Sequence, residues 1–165
     1  MKINISDLLQ QKVEVTAFDF YADKEDLDRE GFKISLKNKA RITGEAHYDG
    51  EIVSISGRIV GVMAATCSRC LKVYDYSIDV GFDEKFSKEE QEDEDVYPVI
   101  NYEIDLKDLV IDQIILSMPL KMLCNENCKG MCPKCGCNLN DKSCSCDRNI
   151  VDPRFAALKD LFKDD

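Results

Sequence analysis

The sequence predicts an α+β protein, mainly an antiparallel β meander or partial barrel with a covering helix and a cysteine-rich segment near its C-terminus. Three observations carry that prediction. Residues 32–86 hold a period-two alternation of apolar and polar side chains, one segment after 104 has helical periodicity, and seven of the nine cysteines fall within 23 residues.

Ile3 and Ile5 alternate with polar neighbours, and Val13 to Phe20 is rich in β-branched and aromatic residues, which fit a pleated surface. Tyr21 to Gly31 is strongly charged and is expected as a loop or a short solvated helix. Ile34 and Leu36 resume the alternation, followed by Ile42, Gly44, Ala46 and Tyr48 at period two. Asp49-Gly50 supplies the positive backbone angles of a hairpin turn, and the chain returns through Ile52, Val53, Ile55 and Ile59 to Met63. Past a Cys67-Ser-Arg-Cys70 step, Tyr74, Tyr76, Ile78, Val80 and Phe82 line one face and Asp75, Ser77, Asp79 and Asp83 the other. Glycines 44, 57 and 61 are placed to bend such a sheet toward a partial barrel.

A helix is predicted over 105–118, with Asp105 as N-cap, Leu106, Leu109, Val110, Ile114 and Ile115 as its apolar face, and Pro119 as its stop. A shorter helix is expected in 151–165, where Asp152 caps, Pro153 takes the first turn and Phe155, Leu158, Leu161 and Phe162 make a stripe. The expected organisation is a β-rich body over 1–120, a Cys-rich metal-binding module over 121–150 and the terminal helix over 151–165, in one compact domain.

Composition narrows function. With 22 basic against 32 acidic residues the net charge is −10, so the counterion release that drives phosphate binding is missing over the surface as a whole. Eight carboxylates against Lys85 and Lys88 crowd into Asp83–Asp95, and the run Glu89–Asp95 is expected as a solvated loop or a docking site for a basic partner. The longest apolar run, Ile59 to Ala65, is far short of the roughly 20 residues that span a bilayer. No apolar secretory segment opens the sequence, so a cytoplasmic, non-membrane protein is expected. The single histidine, His47, sits beside a turn, and no GxSxG, HExxH, GxGxxG or Walker-type motif occurs; no enzyme activity and no small-molecule substrate are expected.

In a reducing compartment, closely spaced thiols read as metal ligands before disulfides. Cys132-Pro-Lys-Cys135-Gly136 has the form of a zinc knuckle: a tight turn brings both thiolates to one ion and aims backbone N–H groups at the sulfurs. Tetrahedral zinc needs a second pair, either Cys124 and Cys128 upstream or Cys144 and Cys146 downstream, and spacing alone does not choose. Cys137 reads as the extra thiol. Between Asn125 and Arg148 the large apolar residues are Met131 and Leu139 alone, so a bound metal would supply most of the folding energy there. Cys67 and Cys70 complete a site with two of the distal cysteines, form a second one with them, act as a thiol-disulfide or metal-transfer pair, or remain unpaired. No helix is predicted after Leu71 to activate a redox thiol.

Taken in order, Cys67-x2-Cys70, IDLKDLVIDQIILSMP with LKMLC, and CKGMCPKCGCNLNDKSCSC…VDPRFAALKDLF resemble the YceD family of bacterial proteins, named for large ribosomal RNA subunit accumulation. The resemblance implies a small, acidic, non-enzymatic protein required for normal amounts of large-subunit ribosomal RNA. All six distal cysteine positions usual in that family are filled, by Cys124, Cys128, Cys132, Cys135, Cys144 and Cys146, and Cys137 is a departure. The expected function is a ribosome-biogenesis factor, with one or two structural zinc ions, that binds a ribosomal protein or a large-subunit precursor. Direct RNA contact is the less favoured route. Lys121–Arg148 carries five basic against three acidic residues, a formal +2 that four thiolates on one zinc would cancel.

Overall fold

A computed structural model describes residues 1–25, 27–29, 32–87, 96–99 and 101–147. The acidic run 89–95 and the helix expected in 151–165 lie outside the described residues. The fold is mixed α+β and mostly sheet. The chain divides into two compact units, one of Met1–Ala65 with Val73–Met122 and one of Thr66–Lys72 with Leu123–Asp165.

The first unit opens with β1 (Lys2–Asn4) and a single helical turn, α1 (Ser6–Leu9). Its main sheet holds β2 (Val15–Ala22), β5 (Ala40–Tyr48), β6 (Val53–Thr66), β7 (Val73–Ser87) and β8 (Val96–Pro98), adjacent in that order. Between β2 and β5 lies a small antiparallel pair, β3 (Asp28–Arg29), inside the charged stretch expected to be loop or helix, with β4 (Phe32–Lys33), at the start of the segment expected to be β. β2 and β5 pair antiparallel from Val15 opposite His47 to Ala22 opposite Ala40, and β5 and β6 from Arg41 opposite Val60 to Tyr48 opposite Val53.

Two side chains hold the turn joining β5 and β6: Asp49, and Tyr48, whose OH donates to Gly50 O at 2.6 Å. Asp49 Oδ1 accepts the backbone N–H groups of Glu51 (2.9 Å) and Ile52 (2.8 Å), while Gly50 takes φ 107°. Those two N–H groups keep the Asp49 carboxyl below its ordinary range, that of Ile52 first.

Alternation decides which face is buried. Phe18, Ile42, Ala46, Ile55, Ile59, Ile78, Phe82 and Phe86 point into one core, and the opposite face carries ion pairs such as Arg41–Asp19 (2.7 Å) and Arg58–Asp79 (2.5 Å). Gly44 and Gly57 face each other across β5 and β6. A Cβ on Gly57 would stand 2.5 Å from the Phe82 ring and 2.6 Å from Thr43 O, so both positions are left bare for the Phe18 and Phe82 rings to lie over the backbone.

The sheet is not a closed barrel: its order runs from β2 at one edge to β8 at the other. The meander also ends before β8, which lies parallel to β7 with Lys85 opposite Val96. A tight hairpin would have made this pair antiparallel, and residues 88–95 separate the two strands instead.

β9 (Glu103–Asp105) pairs antiparallel with β1, Ile3 opposite Ile104, and leads into α2 (Lys107–Ser117). The helix is shorter than the expected 105–118. Asp105 is still the last strand residue, so Leu106 takes the N-cap place, and Asp105 Oδ1 caps from one residue further out by accepting Lys107 N–H at 3.0 Å. α2 packs on β7 and buries Leu109, Val110, Ile111 and Ile114. Ile111 was not on the predicted face, and Ile115, which was, is only half-buried. Among the described residues no helix is long and apolar enough to cross a membrane.

Candidate metal centres

All nine thiols lie in the second unit. Eight of them form two groups of four: Cys67, Cys70, Cys124 and Cys128, and Cys132, Cys135, Cys144 and Cys146, with the sulfurs of each group within 4.8 Å of one another. The downstream pair joins Cys132 and Cys135, and the upstream pair meets Cys67 and Cys70. Cys137 belongs to neither group.

Each group is built on a knuckle, and the two knuckles share one hydrogen-bond pattern. In the second, Gly136 N–H donates to Cys132 O (2.9 Å) and Cys132 N–H to Cys137 O (2.9 Å). In the first, Leu71 N–H donates to Cys67 O (3.0 Å) and Cys67 N–H to Lys72 O (2.9 Å). Both need a left-handed residue after the second cysteine: Gly136 has φ 70° and Leu71 φ 58°. Glycine takes that conformation freely and leucine does not. The Leu71 side chain is 62% exposed, so little packing compensates. Leu71→Gly is expected to stabilise the protein by roughly 0.5–1 kcal/mol, read as a higher denaturant midpoint of the second unit with Leu71→Val moving it the other way.

The Cys124–Cys128 loop closes on Asn125, whose Oδ1 accepts Asn127 N–H at 2.8 Å and whose carbonyl accepts Cys128 N–H at 3.0 Å. Arg69, at the tip of the first knuckle, donates to Cys128 O at 2.9 Å, and Met131 N–H donates back to Arg69 O at 3.1 Å. After the second knuckle, Asn138 and Asn140 organise the return. Asn138 Oδ1 accepts Asn140 N–H (3.0 Å), Asn140 Oδ1 accepts Lys129 N–H (2.8 Å), and Asn140 Nδ2 reaches Cys128 Sγ (3.4 Å). Sequence reasoning missed Arg69 and these asparagines. The available signal was the recurrence of Asn beside cysteine in loops, where a short amide substitutes for backbone partners.

The sulfur spacing in the first group fits a metal site. Cys67 and Cys128 sulfurs are 3.8 Å apart and those of Cys70 and Cys124 3.6 Å. A tetrahedron with metal–sulfur bonds of about 2.3 Å has edges of about 3.8 Å, whereas a covalent disulfide needs about 2.05 Å. Electrostatics agrees. The backbone N–H of Cys124, with those of Cys70 and Arg69, draws the Cys67 thiol down to about 6, and the N–H groups of Cys135 and Lys134 do the same for Cys132. Their crowded partners go the other way: burial and the neighbouring sulfurs push Cys124 to about 12, and the Cys135 sulfur, with burial, pushes Cys146 to about 12. Four thiolates this close are tolerated together only around a cation. Both groups can therefore hold a metal ion, and a closed set of four thiolates suits a structural ion rather than a catalytic one.

The described part of the second unit has few other buried side chains. Among its described residues the buried ones are Cys67, Cys70, Cys128, Cys132 and Gly130.

Comparison with known proteins follows the same segments. The family model described as "Large ribosomal RNA subunit accumulation protein YceD" matches residues 55–162, which include both cysteine groups. The protein YlbN of Bacillus subtilis is 31% identical over all of this chain and 98% of its own length. A Mycobacterium tuberculosis protein is 30% identical over 68% of this chain and 56% of its own. The chloroplastic "Large ribosomal RNA subunit accumulation protein YCED homolog 1" of Arabidopsis thaliana is 36% identical over 51% of this chain and 30% of its own. No solved structure matches the chain.

Proposed function

From the premise that this chain belongs to the YceD family of large ribosomal RNA subunit accumulation proteins, we propose that it is a non-enzymatic ribosome-biogenesis factor. It binds a ribosomal protein or a large-subunit precursor in the cytoplasm and so supports accumulation of large-subunit ribosomal RNA. The observation that carries this reading is the presence, within the family-matched segment, of two four-thiolate groups at metal-binding spacing. Two structural zinc ions hold the second unit as a binding module. Zinc fits the donor set: all-sulfur, four-coordinate and tetrahedral, with no position left for water or substrate.

Charge favours a basic protein partner over bare RNA. The whole chain is −10, and each zinc with four thiolates adds a local −2 to the module. The thiol-disulfide or metal-transfer alternative through Cys67 and Cys70 has less support. Both thiols are buried and grouped with Cys124 and Cys128, where an exchange-active thiol needs access.

Deleting the gene in its native host should lower the large-subunit peak relative to the small-subunit peak on a sucrose gradient, and the tagged protein should copurify with a ribosomal protein or large-subunit precursors. An unchanged gradient with no such association contradicts the proposal. The alternative would instead be supported by Cys70→Ser losing activity with the second unit still folded.

A further inference from the structure

We infer that Asn140 is a positioning residue that couples the two thiolate groups, so that a metal ion in either raises the affinity of the other. The inference rests on the metal-binding reading above and concerns how the two centres communicate.

Asn140 stands between Cys135 and Cys144, inside the loop that the second group closes. Its side chain nevertheless serves the first group. Nδ2 donates to Cys128 Sγ at 3.4 Å and to Asn138 Oδ1 at 2.7 Å, and Oδ1 accepts Lys129 N–H at 2.8 Å, on the residue next to that ligand. The backbone beside it is tied across as well, Leu139 N–H donating to Gly130 O at 2.9 Å.

What holds Asn140 in place belongs to the second group's loop. Asn138 O accepts the N–H groups of Asp141 (3.2 Å) and Lys142 (3.0 Å), and Asn138 Nδ2 donates to Asp141 Oδ2 (2.9 Å). That turn lies between Cys135 and Cys144, two residues that would share an ion. An empty second group leaves the turn held by its own hydrogen bonds and by the links to Lys129 and Gly130, without the ion that fixes both ends of its loop, and the amide donor to Cys128 is held less firmly. A hydrogen bond to a ligating sulfur stabilises the thiolate and orients it, as outer partners of metal ligands do generally. Coupling of binding free energies is reciprocal, so the first ion must favour the second to the same degree.

The test compares the full-length protein, Asn140→Ala and Asn140→Asp, each loaded with Cd²⁺ and titrated with a chelator while cadmium NMR follows the two sites separately. Asn140→Asp keeps an acceptor for Lys129 N–H and removes the donor to sulfur, so it separates loss of the N–H···S bond from loss of the turn. The wild type is expected to lose both ions together. Both variants are expected to shift the resonance of the Cys67/Cys70/Cys124/Cys128 site, to release that ion first, and to hold it roughly 10–100-fold more weakly. Independent release from the wild type, or variants with unchanged resonance and affinity at that site, overturns the inference. A wild type that takes up no Cd²⁺ in either group overturns the metal reading itself, which the wild-type spectrum alone reveals.

Discussion

Chelation is expected to unfold the second unit while the sheet of the first remains intact. With a strong zinc chelator at neutral pH, amide exchange in 123–147 should rise to near unfolded rates, and the amides of β5 and β6 should stay protected. The reason is what is buried among the described residues of the second unit, where cysteines and one glycine take the places that Ile42, Ile55, Ile59 and Ile78 fill in the first. Structural zinc contributes on the order of 10 kcal/mol in small zinc-folded peptides, far more than the few half-buried or exposed apolar side chains of 123–147 would supply. Met131 is 37% exposed and Leu71 62%, so neither supplies a core. Restoring zinc should restore protection.

Ile111→Ala is expected to produce the opposite pattern. Ile111 is fully buried in the cluster that α2 makes on the sheet, so its truncation should cost the first unit about 2–5 kcal/mol through lost transfer energy and the cavity left behind. Zinc content should be unchanged. Denaturant unfolding followed by far-ultraviolet circular dichroism, with metal analysis of the same sample, reads both quantities. A variant that loses zinc with little change in sheet stability would show that the two units are not supported by separate interiors.

The sheet was legible because a surface buried on one side imposes period two. Ile78, Val80 and Phe82 were assigned to one face from alternation, and Phe82 and Ile78 are buried there. Asp49-Gly50 announced its turn by the backbone angles it permits. The helix was legible as a helix and less so as a face: in LVIDQIIL apolar residues occupy most sides, so periodicity could not pick Ile111 over Ile115. The parallel placement of β8 had no local signature, since the direction of a short edge strand depends on how a connection returns rather than on the strand's residues. The same limit applied to the cysteines. Spacing identified each close pair, because two ligands separated by a tight turn are a local property. Which pair met which was tertiary: Cys67 and Cys128 are 61 residues apart in sequence and 3.8 Å apart at sulfur. Leu71 was hidden for a different reason. Its left-handed backbone is imposed by the knuckle, against the preference of the residue that occupies it.

X-ray absorption at the zinc edge, combined with elemental analysis of protein purified without added metal, tests the central claim most directly. This account predicts about two zinc ions per chain, each with four sulfur neighbours at about 2.3 Å and no nitrogen or oxygen in the inner sphere. Metal-free protein with a protected 123–147 segment, or a spectrum with oxygen or nitrogen ligands replacing sulfur, would contradict it.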